Sequence, residues 1–142
     1  MSIFLDTGIF VAFVNKKDRD HNRAVELVDE MRRGRYGIPY TSDYVFDEAV
    51  TVALARTRRL QISLNAGALI LGSRESGIPA LARMLRVDEQ AFHEAWKSFR
   101  THKKPGLSFT DHTCISLARA YAGGTIMSFD EGFDGLLTSC LL

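Results

Sequence analysis

Apolar residues fall along the chain in short blocks whose spacing alternates between strand-like and helix-like. Ser2-Ile3-Phe4-Leu5 is short, apolar and β-prone, which predicts a buried strand. Thr7–Val14 stays apolar and predicts a short helix after a tight turn at Gly8. Polar Asn15–Arg19 breaks that pattern. From Asp20 to Arg33, Ala24, Leu27, Val28 and Met31 share one face, the mark of an amphipathic helix. Gly34 and Gly37 bracket its end, and Ile38–Thr41 reads as a second short strand. Ser42 or Asp43 can cap a third helix running to about Arg58, with Val45, Phe46, Ala49, Val52 and Ala53 as its apolar stripe. Ser63–Ser73, rich in Leu and Ala, predicts a fourth helix.

Pro79–Val87 is ambiguous, and part of it is read as a strand because a cap and helix follow from Asp88. That helix carries Phe92, Ala95, Trp96 and Phe99 at helical spacing. After a basic loop, Arg100–Pro105, another helix is expected over Thr110–Ala122, stopped by Gly123-Gly124. Thr125–Phe129 predicts a strand, Glu131–Asp134 a helical turn, and Leu137–Leu142 a last strand at an edge. Strands alternating with helices imply an α/β fold: a mainly parallel sheet with helices on both faces, in three layers. There are no internal repeats, low-complexity tracts or linkers.

Length and composition narrow this further. A chain of 142 residues suits one domain, 1–142. At 46% hydrophobic and 25% charged it has an ordinary globular profile. The net charge of +1 gives no global pull toward nucleic acid or membrane, so any such binding must come from local patches. Cys114 and Cys140 lack metal-type spacing and read as core thiols of a reducing compartment. Asp6 interrupts the apolar start, so no signal peptide is expected, and no apolar run approaches the roughly 20 residues of a membrane span. A cytoplasmic protein with no membrane partner is the expectation.

Four acids change the picture most: Asp6, Glu48, Asp111 and Asp130. In a parallel α/β sheet, ligands bind outside the carboxyl ends of the strands. Asp6 and Asp130 directly follow predicted strands, and Asp111 begins a helix that can face the same side. Each has a plainer explanation. Asp6 and Asp130 could cap the helices after them, and Ser108-x-x-Asp111 matches a capping box. Glu48 resists capping, because it lies beyond the first turn, beside Phe46, Ala49 and Val50. Its plain alternative is a carboxylate reaching water at the edge of the stripe. Asp134, four residues after Asp130, is a fifth candidate, with an exposed acid as the alternative. Asp47 lies about 100° around the helix from Glu48, and Asp43 suits a cap better than a site. Oxygen-only ligands of this kind suit Mg²⁺ or Mn²⁺, and a carboxylate cage around such a cation is apparatus for phosphodiester hydrolysis.

In this order the motifs resemble the PIN domain family of metal-dependent ribonucleases, and within it the VapC toxins of toxin–antitoxin pairs. Ile3-Phe4-Leu5-Asp6-Thr7 looks like the family's first motif. Thr41-Ser42-Asp43-Tyr44-Val45-Phe46-Asp47-Glu48 looks like the helix bearing its single Glu. Leu107-Ser108-Phe109-Thr110-Asp111 and Met127-Ser128-Phe129-Asp130-Glu131-Gly132-Phe133-Asp134 are similar to its third and fourth motifs. The resemblance covers the whole chain. It implies a five-stranded parallel sheet and a Mg²⁺ or Mn²⁺ site held by Asp6, Glu48, Asp111 and Asp130, with Asp134 as a further ligand. Thr7 and Thr110 would stand beside the metal as hydroxyl partners. It further implies an RNA substrate, a cognate antitoxin that occludes the site, and a homodimer.

The basic clusters Arg32-Arg33-Arg35, Arg56-Arg58-Arg59 and Arg100-His102-Lys103-Lys104 could track a phosphate backbone. Their alternative is solvated helix ends, where cations are expected anyway. His21, His93, His102 and His112 have no metal-ligand spacing, and His112 should point away from its neighbour Asp111. Tyr36, Tyr40, Trp96 and Phe99 could serve an interface, although such residues are more often core. Two rival functions remain: a housekeeping PIN nuclease acting on RNA or DNA, and a catalytically silent PIN-like binding module. A small antitoxin gene immediately upstream would favour the toxin, and four intact acids argue against the silent module. A nucleotide-binding Rossmann domain fits poorly, because no Gly-rich phosphate loop follows the first strand.

Overall fold

The computed structural model describes residues 1–103 and 105–141. Lys104 of the basic loop and Leu142 of the expected last strand lie outside the described residues. Five strands form one sheet: β1 (Ser2–Leu5), β2 (Ile38–Ser42), β3 (Arg83–Leu85), β4 (Thr125–Met127) and β5 (Thr138–Ser139). Their spatial order is β3-β2-β1-β4-β5, and every pairing is parallel. Phe4 and Leu5 of β1 stand opposite Ile126 and Met127 of β4, while Ser2, Ile3 and Phe4 face Ile38, Pro39 and Tyr40 of β2. The central strand is therefore covered on both edges. Its run Ile3-Phe4-Leu5 is buried, as parallel strands between two helical layers require.

Six helices complete the fold: α1 (Thr7–Val14), α2 (His21–Arg32), α3 (Asp43–Thr57), α4 (Leu60–Leu71), α5 (Glu89–Thr101) and α6 (Phe109–Tyr121). Contacts divide them into two groups. α1 packs with α2, α3 and α4, whereas α5 packs with α6. The chain first steps outward from β1 to β2 and β3, then returns past β1 to β4 and β5. Right-handed crossovers put the helices of these two excursions on opposite faces of the sheet. The direction of winding reverses between β1 and β4, which opens a crevice at their carboxyl ends.

Gly37 shows how tightly β1 and β2 are joined. It has a φ of 75°, and a Cβ there would stand 2.1 Å from the Met1 carbonyl oxygen. That same oxygen accepts the Ile38 N–H at 3.0 Å, so only glycine fits the approach.

Several boundaries differ from the sequence expectation. α4 spans Leu60–Leu71 rather than Ser63–Ser73, because Arg58 ends α3 in the left-handed conformation (φ 55°) and lets the next helix start early. Gly72, at φ 79°, then ends α4. β4 stops at Met127 because the Ser128 hydroxyl turns to the Asp6 carboxylate and accepts the Asp130 N–H. β5 is only two residues long. The turn after Asp130 is a 3₁₀ helix over Glu131–Phe133, with Asp134 beyond its end.

α5 overturns the expected core. Its buried residues are Ala91 and Ala95, while Phe92, Trp96 and Phe99 are 42%, 47% and 42% exposed. The small alanine face lets α5 approach α6 closely. The aromatic rings instead gather along the outside, with Trp96 stacked on Phe99 and Phe92 and Phe99 against Phe109. Tyr36 and Tyr40, by contrast, pack half-buried against the core.

Candidate active site

Asp6 is the first residue beyond β1. Its backbone N–H donates to the Met127 carbonyl at 3.1 Å, which fixes it in the crevice between β1 and β4. Although Asp6 occupies the N-cap position of α1, its side chain makes no capping hydrogen bond. The capping explanation therefore fails for Asp6. Its Oδ2 accepts a 2.6 Å hydrogen bond from the Ser128 hydroxyl, while its Oδ1 is buried with no partner. The neighbouring Thr7 Oγ1 is also buried and unpartnered. Two orphaned oxygens side by side are costly unless something satisfies them.

Asp111 does cap its helix. Its Oδ2 accepts the Ser108 N–H at 2.9 Å, its own N–H donates to Ser108 Oγ at 3.1 Å, and the capping box is complete. Asp130 caps the 3₁₀ turn by accepting the Gly132 N–H at 2.8 Å. Capping and a place in the site are compatible for both, because each cap engages only part of the carboxylate. Asp111, Asp130, Asp6 and Glu48 all line one open cleft of about 940 Å³. α3 brings Glu48 there from the other wall: α3 and α6 touch, with Tyr44 packed against Phe109. Glu48 forms no ion pair among the described residues.

Crowding shows in the electrostatics. Burial raises the Asp6 carboxyl to about 7; the Ser128 hydrogen bond opposes the shift, while the negative charges of Asp111 and Glu48 add to it. Burial likewise lifts Asp111 to about 6, against its hydrogen bonds with Ser108 and with help from Glu48 and Asp130. Asp6 and Asp111 both feel the Glu48 charge across the cleft. Yet among the described residues no three His, Cys, Asp or Glu side chains stand as a ready ligand set. The donor set nevertheless fits a hard divalent cation. It offers only oxygens, and it includes the unpartnered Asp6 Oδ1.

Other acids fall elsewhere. Asp134 lines a neighbouring depression with His102, Lys103 and Leu107, and Asp130 borders both spaces. The 3₁₀ turn removes the helical face that Asp130 and Asp134 would have shared. Asp43 is held away, its Oδ1 accepting the Val87 N–H at 2.9 Å, and Ser42 supplies the α3 cap. Asp47 is exposed. His112 turns from the cleft into the α5–α6 interface, where its Nδ1 lies 2.6 Å from Ser98 Oγ. Burial and the neighbouring His102 hold its pKa below the usual range.

A family model described as the PIN domain matches residues 3–136. The chain belongs to the PIN domain family. A VapC ribonuclease from Archaeoglobus fulgidus is 28% identical over 113 residues, 78% of this chain and 66% of that protein, just under two thirds of its length. The crystal structure of VapC20 from Mycobacterium tuberculosis, a sarcin-ricin loop cleaving toxin, superposes with a TM-score of 0.76 at 24% identity, covering 92% of each chain. VapBC2 from Rickettsia felis, bound to a DNA fragment from its promoter, matches at 0.64 and 14% identity over 98% of this chain and 97% of that one. FitAcB from Neisseria gonorrhoeae matches at 0.63 and 17% identity, over 98% and 96%.

Sequence reasoning missed part of what this PIN domain places at the cleft. Asp18, Arg19 and Asp20 also line it, and Ser128 holds Asp6. The loop after α1 carries no motif, and nothing in its polar run singles out Asp18 or Asp20. Ser128 lay within a predicted strand and the fourth motif, but neither gave it a role, and the strand in fact stops at Met127. Among the described residues no helix is long and apolar enough to cross a membrane.

Proposed function

We propose that this PIN domain is a metal-dependent endoribonuclease acting as the toxin of a VapBC-like toxin–antitoxin pair. The observation that carries the reading is the convergence of Asp6, Glu48, Asp111 and Asp130 on one cleft, with an unpartnered carboxylate oxygen at its base. Asp6, Glu48, Asp111 and Asp130 would hold Mg²⁺ or Mn²⁺. Asp134 would act only as an outlying acid, reached through Asp130. A bound divalent cation would supply charge neutralisation at the phosphate and acidify a water toward hydroxide. Ser128 orients Asp6 through its 2.6 Å hydrogen bond, and Ser108 fixes Asp111. With their carboxyls raised to about 7 and 6, Asp6 and Asp111 are poised to lose protons near neutrality when positive charge arrives. The acids repel phosphate within the cleft itself, and a bound cation would remove that local repulsion.

The relatives named VapC ribonuclease and sarcin-ricin loop cleaving toxin support RNA as the substrate. The VapBC2 structure supports an antitoxin partner. The exposed Phe92, Trp96 and Phe99 of α5 support the homodimer, since monomers rarely leave such a row bare.

The test is cleavage of end-labelled RNA by purified protein with Mg²⁺, Mn²⁺ or EDTA. Endonucleolytic products with either cation and none with EDTA are expected. Equal cleavage in EDTA would contradict the metal mechanism, and no cleavage of any RNA with either cation would contradict the nuclease reading.

A further inference from the structure

Beside the acidic cleft lies a second pocket of about 590 Å³ with the opposite charge character. Lys16, Lys17, Arg56 and Arg59 line it, together with Asn15, Val14 and Ile62, and no carboxylate does. These cations come from three segments: the loop after α1, the last turn of α3, and the turn into α4. A solvated helix end would explain Arg56 alone. It does not explain why two lysines from another loop converge on it. Among the described residues, Lys16, Lys17 and Arg59 have no ion pair, and Arg56 has only a long one to Asp18 at 3.9 Å. Four clustered cations in a chain of net charge +1 form a local field that favours an anion.

Continuity says which anion. Asn15 and Arg56 line both the basic pocket and the acidic cleft. A polyanion seated with one phosphate at the acids would pass directly onto these cations. Val14 and Ile62 add an apolar wall against which a base or ribose can lie. We propose that Lys16, Lys17, Arg56 and Arg59 form the binding track for the backbone phosphates of single-stranded RNA flanking the cleaved bond. This proposal rests on the nuclease reading for its substrate, but its residues lie outside the carboxylate set. Its consequence is directional: one flank of the substrate is gripped by charge, and affinity depends on a strand long enough to reach the pocket.

The experiment separates binding from cleavage. Fluorescence anisotropy measures a short single-stranded RNA binding to Asp6→Asn protein in EDTA, where cleavage is blocked, over a series of salt concentrations. Lys17→Ala/Arg59→Ala in that background is expected to weaken binding roughly tenfold. It should also flatten the slope of log Kd against log salt by about 1.4, at about 0.7 per phosphate contact. Arg74→Ala is the control for net charge, since it lies beyond the far end of α4, about 18 Å along the helix axis. It should change neither quantity. All these side chains are exposed, so thermal melting should match the parent.

If the double variant binds RNA like Arg74→Ala, the track is wrong, even where wild-type protein cleaves RNA with Mn²⁺. If wild-type protein cleaves nothing but the double variant still loses RNA affinity and slope, the track stands and the nuclease reading falls. Should poly-glutamate, used as a model acidic polypeptide, bind in a Lys17- and Arg59-dependent way while RNA does not, the pocket serves an acidic protein segment and the RNA proposal is overturned.

Discussion

Asp6 concentrates the energetic cost of this site. One of its oxygens is satisfied by Ser128 and the other by nothing, in a place where burial lifts its carboxyl to about 7. A raised carboxyl pKa means that the folded protein holds a proton which the unfolded chain releases at about 4. Between roughly pH 4 and 7 the native state therefore binds more protons, and stability of the metal-free protein should fall as pH rises through that window. Asp111, lifted to about 6, acts in the same direction. The melting temperature in EDTA should accordingly be lower at pH 7.5 than at pH 5, and Asp6→Asn should flatten the dependence. Ser128→Ala removes the one hydroxyl holding Asp6. It should lower cleavage about ten- to a hundredfold, the usual cost of losing a partner that orients a ligand, with little loss of fold. A cleavage rate equal to wild type would show that Ser128 is a bystander. The position of Asp6 was legible in the sequence, because an Asp directly after a short apolar strand falls at a crevice. Which acids were merely caps was not legible. Asp6 was open to that explanation and escapes it, while Asp111 caps and faces the cleft at once.

Elements set how accurately those residues meet. Gly132 sits in the 3₁₀ turn beside Asp130, and a Cβ there would come within 2.7 Å of Leu107 Cδ2 and 3.0 Å of Asp130 Oδ1. Gly132→Ala should displace Asp130 and reduce cleavage about tenfold, by analogy with other losses of ligand orientation. Unchanged cleavage would mean that Asp130 tolerates the shift. The helices with amphipathic stripes, α2 above all, were readable because their period is unambiguous. α5 misled for a physical reason. Its aromatic positions have helical spacing, yet the face that packs is its alanine face, and aromatic periodicity alone cannot tell a core stripe from an outer one. The short β3 and β5 carry too few residues to show any period at all. Both exist because neighbouring strands offer them hydrogen-bonding partners.

At the scale of the molecule, the strand order β3-β2-β1-β4-β5 explains why acids 124 residues apart in sequence share one cleft (Asp6 and Asp130). The winding reverses between β1 and β4, and whatever follows those strands is delivered to the same rim. The parallel sheet follows from strands alternating with helices, while its strand order and the reversal do not. Nor does the opposite charge of the pocket next door, since its four cations come from three segments that no motif connects. The outer aromatic row of α5 makes a separate prediction. Sedimentation of the purified protein should report a dimer, and Trp96→Ala with Phe99→Ala should shift it toward monomer; a wild-type monomer at micromolar concentration would contradict the homodimer.

The central claim is that Glu48 joins Asp6, Asp111 and Asp130 in holding one divalent-ion site. Titration of Mn²⁺ into the purified protein near pH 7.5, with free ion followed by electron paramagnetic resonance, tests it most directly. Wild-type protein should bind Mn²⁺, and Glu48→Gln, like Asp6→Asn and Asp111→Asn, should weaken that binding at least about tenfold. Mn²⁺ binding by Glu48→Gln with wild-type affinity would contradict the account.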